Sequence, residues 1–357
     1  MKNILFLCDD NGMFDNFNKF NIPHSKDSKK IVTDEILSFI ESRDIDTLIC
    51  NAKQIKVASR LLWTSNCLKR YILTDTDNPL LIEESNKKVE TKMWDIIAVR
   101  SGNDPIEQAG WISSYTNEKF TQTEMKEWVN NAVCKLKPYL FENASILEIG
   151  IASGLTCCEI APYVRNYIGI DISKETLIKT KEFLAQKNIG NVSLIVADAI
   201  DIGQLDISSQ DIIIINSVAQ YFAGYNYFIA MLKNLLGCMK NRSLIFLGDI
   251  LDAELKSTFE DELIRNGIKR KNVSDLYYPK SFMKELPVYI PEIVDVQITG
   301  KFGTIENEMK KYRYDVILTV DKNNKKTNVK RSKFQYALLA RNFSVENILK
   351  NESTFNE

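Results

Sequence analysis

Histidine is nearly absent from this chain of 357 residues, with His24 the only one. A histidine base for carbon-acid chemistry is therefore scarce, and a zinc site built from cysteine and histidine does not fit. The cysteines, Cys8, Cys50, Cys67, Cys134, Cys157, Cys158 and Cys238, are odd in number and form no C-x-x-C pair. That argues against a disulfide framework and fits a reducing cytoplasm. Charge of one sign is lacking too: 46 Lys+Arg against 47 Asp+Glu give a net charge of -1. No global positive field exists to hold a phosphate backbone, so nucleic acid is a minor reading. Long hydrophobic runs are also missing. The apolar start ends at Asp9 and Asp10, too short for a signal peptide, and nothing downstream reaches the roughly 18 apolar residues of a membrane span. A soluble cytoplasmic protein is expected.

What is present is ordinary globular material, 45% hydrophobic and 26% charged. A packed core is available, and the length exceeds twice the ~150 residues of a typical domain, so more than one core is expected. Residues 1–92 alternate apolar runs with helical stretches and read as a small α/β domain of unassigned role. Asp9 to Gly12 reads as a turn rather than a phosphate loop. The polar stretch from Thr76 to Lys92 is the seam. Residues 93–141 form a lid and a linking helix, which starts at the capping-box spacing of Thr121 and Glu124 and carries Met125, Trp128, Val129, Ala132, Val133 and Leu136 at helical intervals. Met125 and Trp128 read as core residues on that apolar face. Residues 142–250 alternate strand and helix in the manner of a doubly wound sheet. Residues 251–357 supply acceptor-side helices, the final strands and a tail, and the basic run from Lys322 to Lys333 reads as a solvated loop.

The chemistry concentrates in Ile146-Leu-Glu-Ile-Gly-Ile-Ala-Ser-Gly154, a strand that breaks into a glycine turn where backbone N–H groups can approach a ligand. A dinucleotide loop needs G-x-G-x-x-G, and the frame from Gly150 offers Gly150, Ala152 and Leu155, which disfavours a pyrophosphate. S-adenosylmethionine (SAM) carries a sulfonium and an ammonium instead, so Glu148 beside the loop is attractive to it. Asp171 ends the second strand about 20 residues beyond Gly150, where a carboxylate accepts both ribose hydroxyls. Asp198 and Ala199 follow the third strand, where the adenine edge would lie. The fourth strand runs into Asn216, whose end of the sheet is where donor and acceptor meet.

With these features in order the chain resembles the class I SAM-dependent methyltransferases. A narrower resemblance rests on Gly110-Trp-Ile-Ser-Ser-Tyr115, Glu124-Met-Lys-Glu-Trp128, the glycine loop, Ile214-Ile-Asn-Ser-Val-Ala-Gln-Tyr-Phe222, Ile245-Phe-Leu-Gly-Asp249 and Tyr312-Arg-Tyr-Asp-Val-Ile-Leu318. Together, from about Trp94 to Val320, these are similar to the ordered motifs of the N-methyltransferase domains embedded in nonribosomal peptide synthetases. The resemblance implies a Rossmann-like doubly wound α/β fold preceded by the small N-terminal α/β domain. It implies SAM on Gly150, Ser153, Gly154, Asp171 and Ile172, with Tyr115 closing from the lid. It places Asn216, Ser217, Gln220 and Tyr221 toward the acceptor and makes Glu308, of the pair Asn307 and Glu308, the group that holds or deprotonates an amine. The implied acceptor is an aminoacyl or peptidyl group, tethered to a carrier protein or free as a small molecule. Ala152 stands where a glycine is common.

The scarcity of histidine favours nitrogen over carbon as the methylated atom. Oxygen or carbon transfer, and a SAM-binding scaffold without turnover, are the alternatives.

Overall fold

The computed structural model describes residues 4–8, 18–21, 29–73, 83, 90–102, 104–268, 275–324 and 336–338. The turn expected at Asp9 to Gly12, His24, most of the seam before Lys92 and the basic residues from Lys325 to Lys333 lie outside them. The chain divides into two compact units. One is residues 1–86 with 224–226 and 330–357, and the other is residues 87–223 with 227–329.

The first unit runs β1 (Ile4–Cys8), β2 (Asn18–Asn21), α1 (Lys29–Ser42), β3 (Thr47–Cys50), α2 (Ile55–Thr64) and β4 (Arg70–Leu73). Its strands pair in parallel. Leu48, Ile49, Ile55, Leu61 and Leu62 are buried, as expected where strands are covered by helices.

The second unit holds α3 (Glu90–Arg100), α4 (Pro105–Gln108) and α5 (Gln122–Leu136), then β5 (Ser145–Ile149), α6 (Leu155–Ile160), β6 (Asn166–Asp171), α7 (Lys174–Gln186), β7 (Val192–Val196) and β8 (Gln210–Asn216). After α8 (Tyr225–Cys238) come β9 (Met239–Leu251), α9 (Lys256–Arg265), α10 (Lys280–Tyr289), β10 (Ile293–Gly300), α11 (Glu308–Lys311) and β11 (Arg313–Asp321). The seven strands are ordered β10-β11-β9-β8-β5-β6-β7. Among them only β11 runs against its neighbours. This is the Rossmann-like doubly wound sheet expected. Its strand order reverses between β5 and β8, and the crevice at their carboxyl ends is the ligand position that such sheets create.

The final strand, β12 (Tyr336–Leu338), pairs with β4 in the five-stranded sheet of the first unit. It therefore extends that sheet rather than the acceptor-side region in which the sequence reading had grouped it. Pairing between ends this far apart leaves no local trace in sequence.

Local chemistry explains the elements around the crevice. β5 is buried at every residue, as a central parallel strand covered on both faces should be, and it carries Glu148 into that buried layer. The capping box closes in both directions at α5, with Glu124 N–H donating to Thr121 and Thr121 N–H donating to Glu124. One further irregularity lies in β9, where the register against β11 shifts between Tyr314 and Val316, and Asp249 stands at φ 63°. Such a bulge re-aims a side chain, and here it faces Asp249 toward Arg313. Among the described residues no helix is long and apolar enough to cross a membrane.

Candidate functional site

The loop after β5 is a cradle made by backbone. Gly150 N–H and Ile151 N–H both donate to Ile170 O, at 2.8 and 3.0 Å, and fold the chain back over β6. Gly150 has φ +69°, and a Cβ placed there would stand 2.4 Å from Val218 Cγ2. Only glycine fits between this turn and that wall. Gly154, at φ +78°, opens α6.

Ala152 occupies the left-handed region as well, at φ 46°, which explains why glycine is common there. Ala152→Gly is expected to stabilise the fold by at most about 1 kcal/mol, since release of backbone strain is partly offset by a freer unfolded chain. Urea titration checks this, and a clear loss of stability would show that the methyl group is needed for packing.

Asp171 stands across the loop. Its Oδ2 accepts Ala152 N–H at 3.1 Å and its Oδ1 accepts Ser173 N–H at 2.9 Å, which leaves lone pairs for further donors. Burial pushes its carboxyl above the ordinary range, against the lowering by these backbone N–H groups. Glu148 is more deeply placed. Tyr167 Oη donates to it at 2.7 Å, and burial, aided by the Asp171 charge, raises its carboxyl to about 8 despite that bond. At the far end Asp198 caps the turn after β7 through Ile200 N–H and accepts from Tyr227 Oη.

The walls are aromatic. The rings of Trp111 and Trp128 approach to 4.6 Å, and those of Trp94 and Tyr221 meet edge-on at 5.0 Å. Beyond β8, Asn216 Oδ1 is buried without a hydrogen-bond partner, although its Nδ2 donates to Thr156 Oγ1 at 3.3 Å. Ser217, at φ 60°, carries an Oγ that accepts from both Gln220 Nε2 and Arg313 Nη1.

Glu148, Gly150, Ser153, Asp171, Ile172, Asp198, Ala199, Asn216, Ser217 and Tyr221 line one cleft. Gly154 and Gln220 stand directly behind that lining, bonded into it through the loop and through Ser217. Two expected residues go elsewhere. Glu308 accepts Ser114 N–H with both oxygens, at 3.0 and 2.9 Å, and the Ser113 hydroxyl at 3.3 Å. Its carboxylate fastens the lid loop. The Tyr115 ring packs edge-on against Phe259 at 6.0 Å, beside Tyr312, and does not line the cleft. Trp128, expected as core, is buried beside Met125 yet also lines the cleft.

Sequence reasoning assigned no role to Trp94, Val218, Asp249 or Arg313. Trp94 was visible only as the start of the resembling region, and the two charges only as letters within quoted motifs.

Beneath the acceptor end lies a buried ionic network. Asp315 Oδ2 accepts from Asn131 Nδ2 at 2.6 Å and from Lys135, while Asp315 Oδ1 accepts Asp249 N–H at 2.7 Å and Lys301 Nζ at 3.0 Å. Asp249 in turn pairs with Lys301 at 3.2 Å and with Arg313. Burial alone would raise the Asp249 carboxyl, but Arg313 and Lys301 outweigh it and hold it down to about 2.

A family profile described as "Methyltransferase domain" matches residues 140–278. This part of the chain matches a methyltransferase domain. It is similar to chondramide synthase cmdD of Chondromyces crocatus, with 32% identity over 229 residues that take in 59% of this chain and 6% of that protein. Nonribosomal peptide synthetase asqK of Emericella nidulans is 29% identical over 230 residues, or 59% of this chain and 9% of that protein. The chain thus spans less than a tenth of the length of these curated relatives. Among solved structures, the N-methyltransferase NodS of Bradyrhizobium japonicum in complex with S-adenosyl-l-homocysteine aligns with a TM-score of 0.42 at 14% identity, covering 56% of this chain and 88% of that one.

The methyl donor of such a domain is SAM, and the donor set of this cleft fits it. Asp171 keeps acceptor capacity for paired hydroxyls, Glu148 supplies a carboxyl near the loop for a cation, and the glycine cradle leaves no room for a side chain in the ligand's path. Asp171→Ala is expected to weaken SAM by about 1.5–3 kcal/mol, the scale of a hydrogen bond to a charged group. Calorimetric titration measures this, and unchanged affinity would remove Asp171 from the site.

Proposed function

We propose that this methyltransferase transfers the methyl group of SAM to an amine of an amino acid or peptide, free or carried by a carrier protein, in the biosynthesis of a nonribosomal-peptide-like product. The observation that carries this reading is Asn216 Oδ1, a buried acceptor without a partner, on the residue that ends β8 in the cleft wall. An N–H or O–H donor satisfies it, whereas a carbon acid does not, and of the two donors an amine brings its own lone pair near neutral pH without a strong base.

When bound, SAM supplies a methyl group on a sulfonium, so the amine lone pair forms the N–C bond as the C–S electron pair stays on sulfur. The chain's task is alignment and exclusion of water. Trp94, Trp111, Trp128 and Tyr221 wall the cleft, and Glu308 keeps the lid loop fastened through Ser113 and Ser114. Tyr221 stays a neutral phenol, since burial first and the Asp275 charge second push it up to about 12. It orients a ligand and takes no proton near neutral pH. An α-amino group titrates near pH 8, so its proton leaves to water before attack and no strong base is required.

The direct test is incubation with methyl-labelled SAM and a panel of free amino acids and aminoacyl thioesters, followed by fragmentation of whatever gains mass. Label on nitrogen is the expected result. Label on oxygen or carbon overturns the amine reading and leaves the methyltransferase domain as described, and SAM binding without any turnover points to a scaffold.

A further inference from the structure

Arg313 opens β11, and its side chain is 14% exposed. Among the described residues all of its hydrogen bonding leaves from Nη1, to Asp249 Oδ2 and to Ser217 Oγ at 3.3 Å. Nε and Nη2 carry donors that no described residue accepts, and neither is sealed from solvent. A guanidinium is a planar fork whose several N–H groups suit a carboxylate or carbonyl oxygen, so this edge is free to meet a ligand.

Within the network Lys135, Lys301 and Arg313 face Asp249 and Asp315. Glu308 adds a third negative charge that acts on Arg313 through space, while its oxygens accept from Ser113 and Ser114 rather than from the guanidinium. The position of the free donors matters more than the charge. Ser217 Oγ is shared by Arg313 and Gln220, and Ser217 directly follows Asn216, the proposed partner of the amine.

We propose that Arg313 anchors an oxygen of the methyl acceptor through Nε and Nη2. The acceptor is then an α-amino carbonyl compound, with its amine at Asn216 and its carboxylate or carbonyl oxygen at Arg313. The inference rests on the amine reading above and adds the second recognition point, which distinguishes an amino acid derivative from a simple amine. The two groups are neighbours in any amino acid, separated by one Cα, as Asn216 and Ser217 are neighbours in the wall. A free carboxylate and the carbonyl of a thioester present the same oxygen chemistry, so the test includes both.

The experiment compares wild type with Arg313→Lys, which keeps the charge opposite Asp249 and loses the free fork. Each is given amino acids as free acids, as N-acetylcysteamine thioesters and as the corresponding decarboxylated amines. Wild type is expected to prefer at least one oxygen-bearing series over the amines by about ten- to hundredfold in kcat/KM, with the preference collapsing in Arg313→Lys. Affinity for S-adenosylhomocysteine and Tm should hold. The favoured series identifies the oxygen as carboxylate or thioester carbonyl.

Calorimetric titration of the same compounds into protein saturated with S-adenosylhomocysteine reads binding without turnover. It therefore decides the proposal even if no amine is methylated, the outcome that sinks the amine reading alone. Equal use or binding of oxygen-bearing and decarboxylated compounds by wild type, or an equal loss for both in Arg313→Lys, overturns the role of Arg313. Should Arg313→Lys fold poorly, the wild-type calorimetric comparison of oxygen-bearing with decarboxylated compounds decides the proposal by itself, equal binding of the two overturning it.

Discussion

Glu148→Gln is expected to give a more stable protein that binds SAM less well. The carboxyl is buried against Tyr167 and held near a pKa of about 8 by desolvation first and the Asp171 charge second, although the Tyr167 hydroxyl pulls the other way. Below the unfolded carboxyl's pKa of about 4.3, both states are protonated and the residue costs nothing. As pH rises further the unfolded chain ionises while the folded chain keeps its proton, so stability falls steadily until about pH 8 and then levels off. At pH 7 the linkage amounts to about 3–4 kcal/mol at most, because each unit of separation is worth 1.36 kcal/mol.

Glutamine escapes that cost but brings an amide N–H₂ that needs partners, so a net gain of about 1–3 kcal/mol at pH 7 is expected. The gain should vanish near pH 4. Binding moves in the opposite direction. An ionised Glu148 attracts the cationic ends of SAM and an amide does not, so affinity should drop about ten- to hundredfold. Wild-type affinity should also rise between pH 6 and 8, while the variant stays flat. Urea titrations at pH 4, 7 and 8.5 with calorimetry at each pH test both halves, and a variant that is less stable at pH 8.5 than wild type removes the premise that burial dominates at this carboxyl.

The same residue shows why part of this site is legible in sequence. Glu148, Gly150 and Asp171 are placed by local rules, a strand that breaks at a glycine and a second strand that ends about 20 residues later. Thr121 and Glu124 are likewise readable, because a capping box is a contact between residues three apart. The contacts of Glu308 and Tyr115 were not legible for the complementary reason. Their roles depend on which long-range neighbour claims the carboxylate, and Ser114 lies far from Glu308 in sequence. The strand register that carries Arg313 past Asp249 includes a bulge that no periodicity announces. Charges in a motif say that something polar is needed there, and only the fold says whether it meets solvent, substrate or another charge.

Asp315→Ala is expected to be the most destabilising single change in the second unit, at about 3–5 kcal/mol, the cost of leaving buried cations without their counter-ion. Asp315 is fully buried, and its two oxygens take Asn131, Lys135, Lys301 and the Asp249 N–H. Without it, Lys301 retains only Asp249, which already serves Arg313, and Lys135 has no carboxylate at all among the described residues. Burial alone would raise the Asp315 carboxyl, but Lys301 and Lys135 prevail and lower it. Asp315 and Asp249 therefore contribute stability that is complete above about pH 4 and is lost as pH falls through their depressed folded values, about 2 for Asp249.

The network reading makes a sharper claim than the size of one loss. Lys301→Met alone should also destabilise, but Lys301→Met combined with Asp315→Ala should cost clearly less than the two separately, because each removes the group the other leaves exposed. Urea unfolding of the four proteins at pH 7 provides the cycle. Strict additivity would mean that the two charges are solvated independently, and the strand ends carrying Asp249 and Arg313 would then have to be held in place by backbone pairing alone.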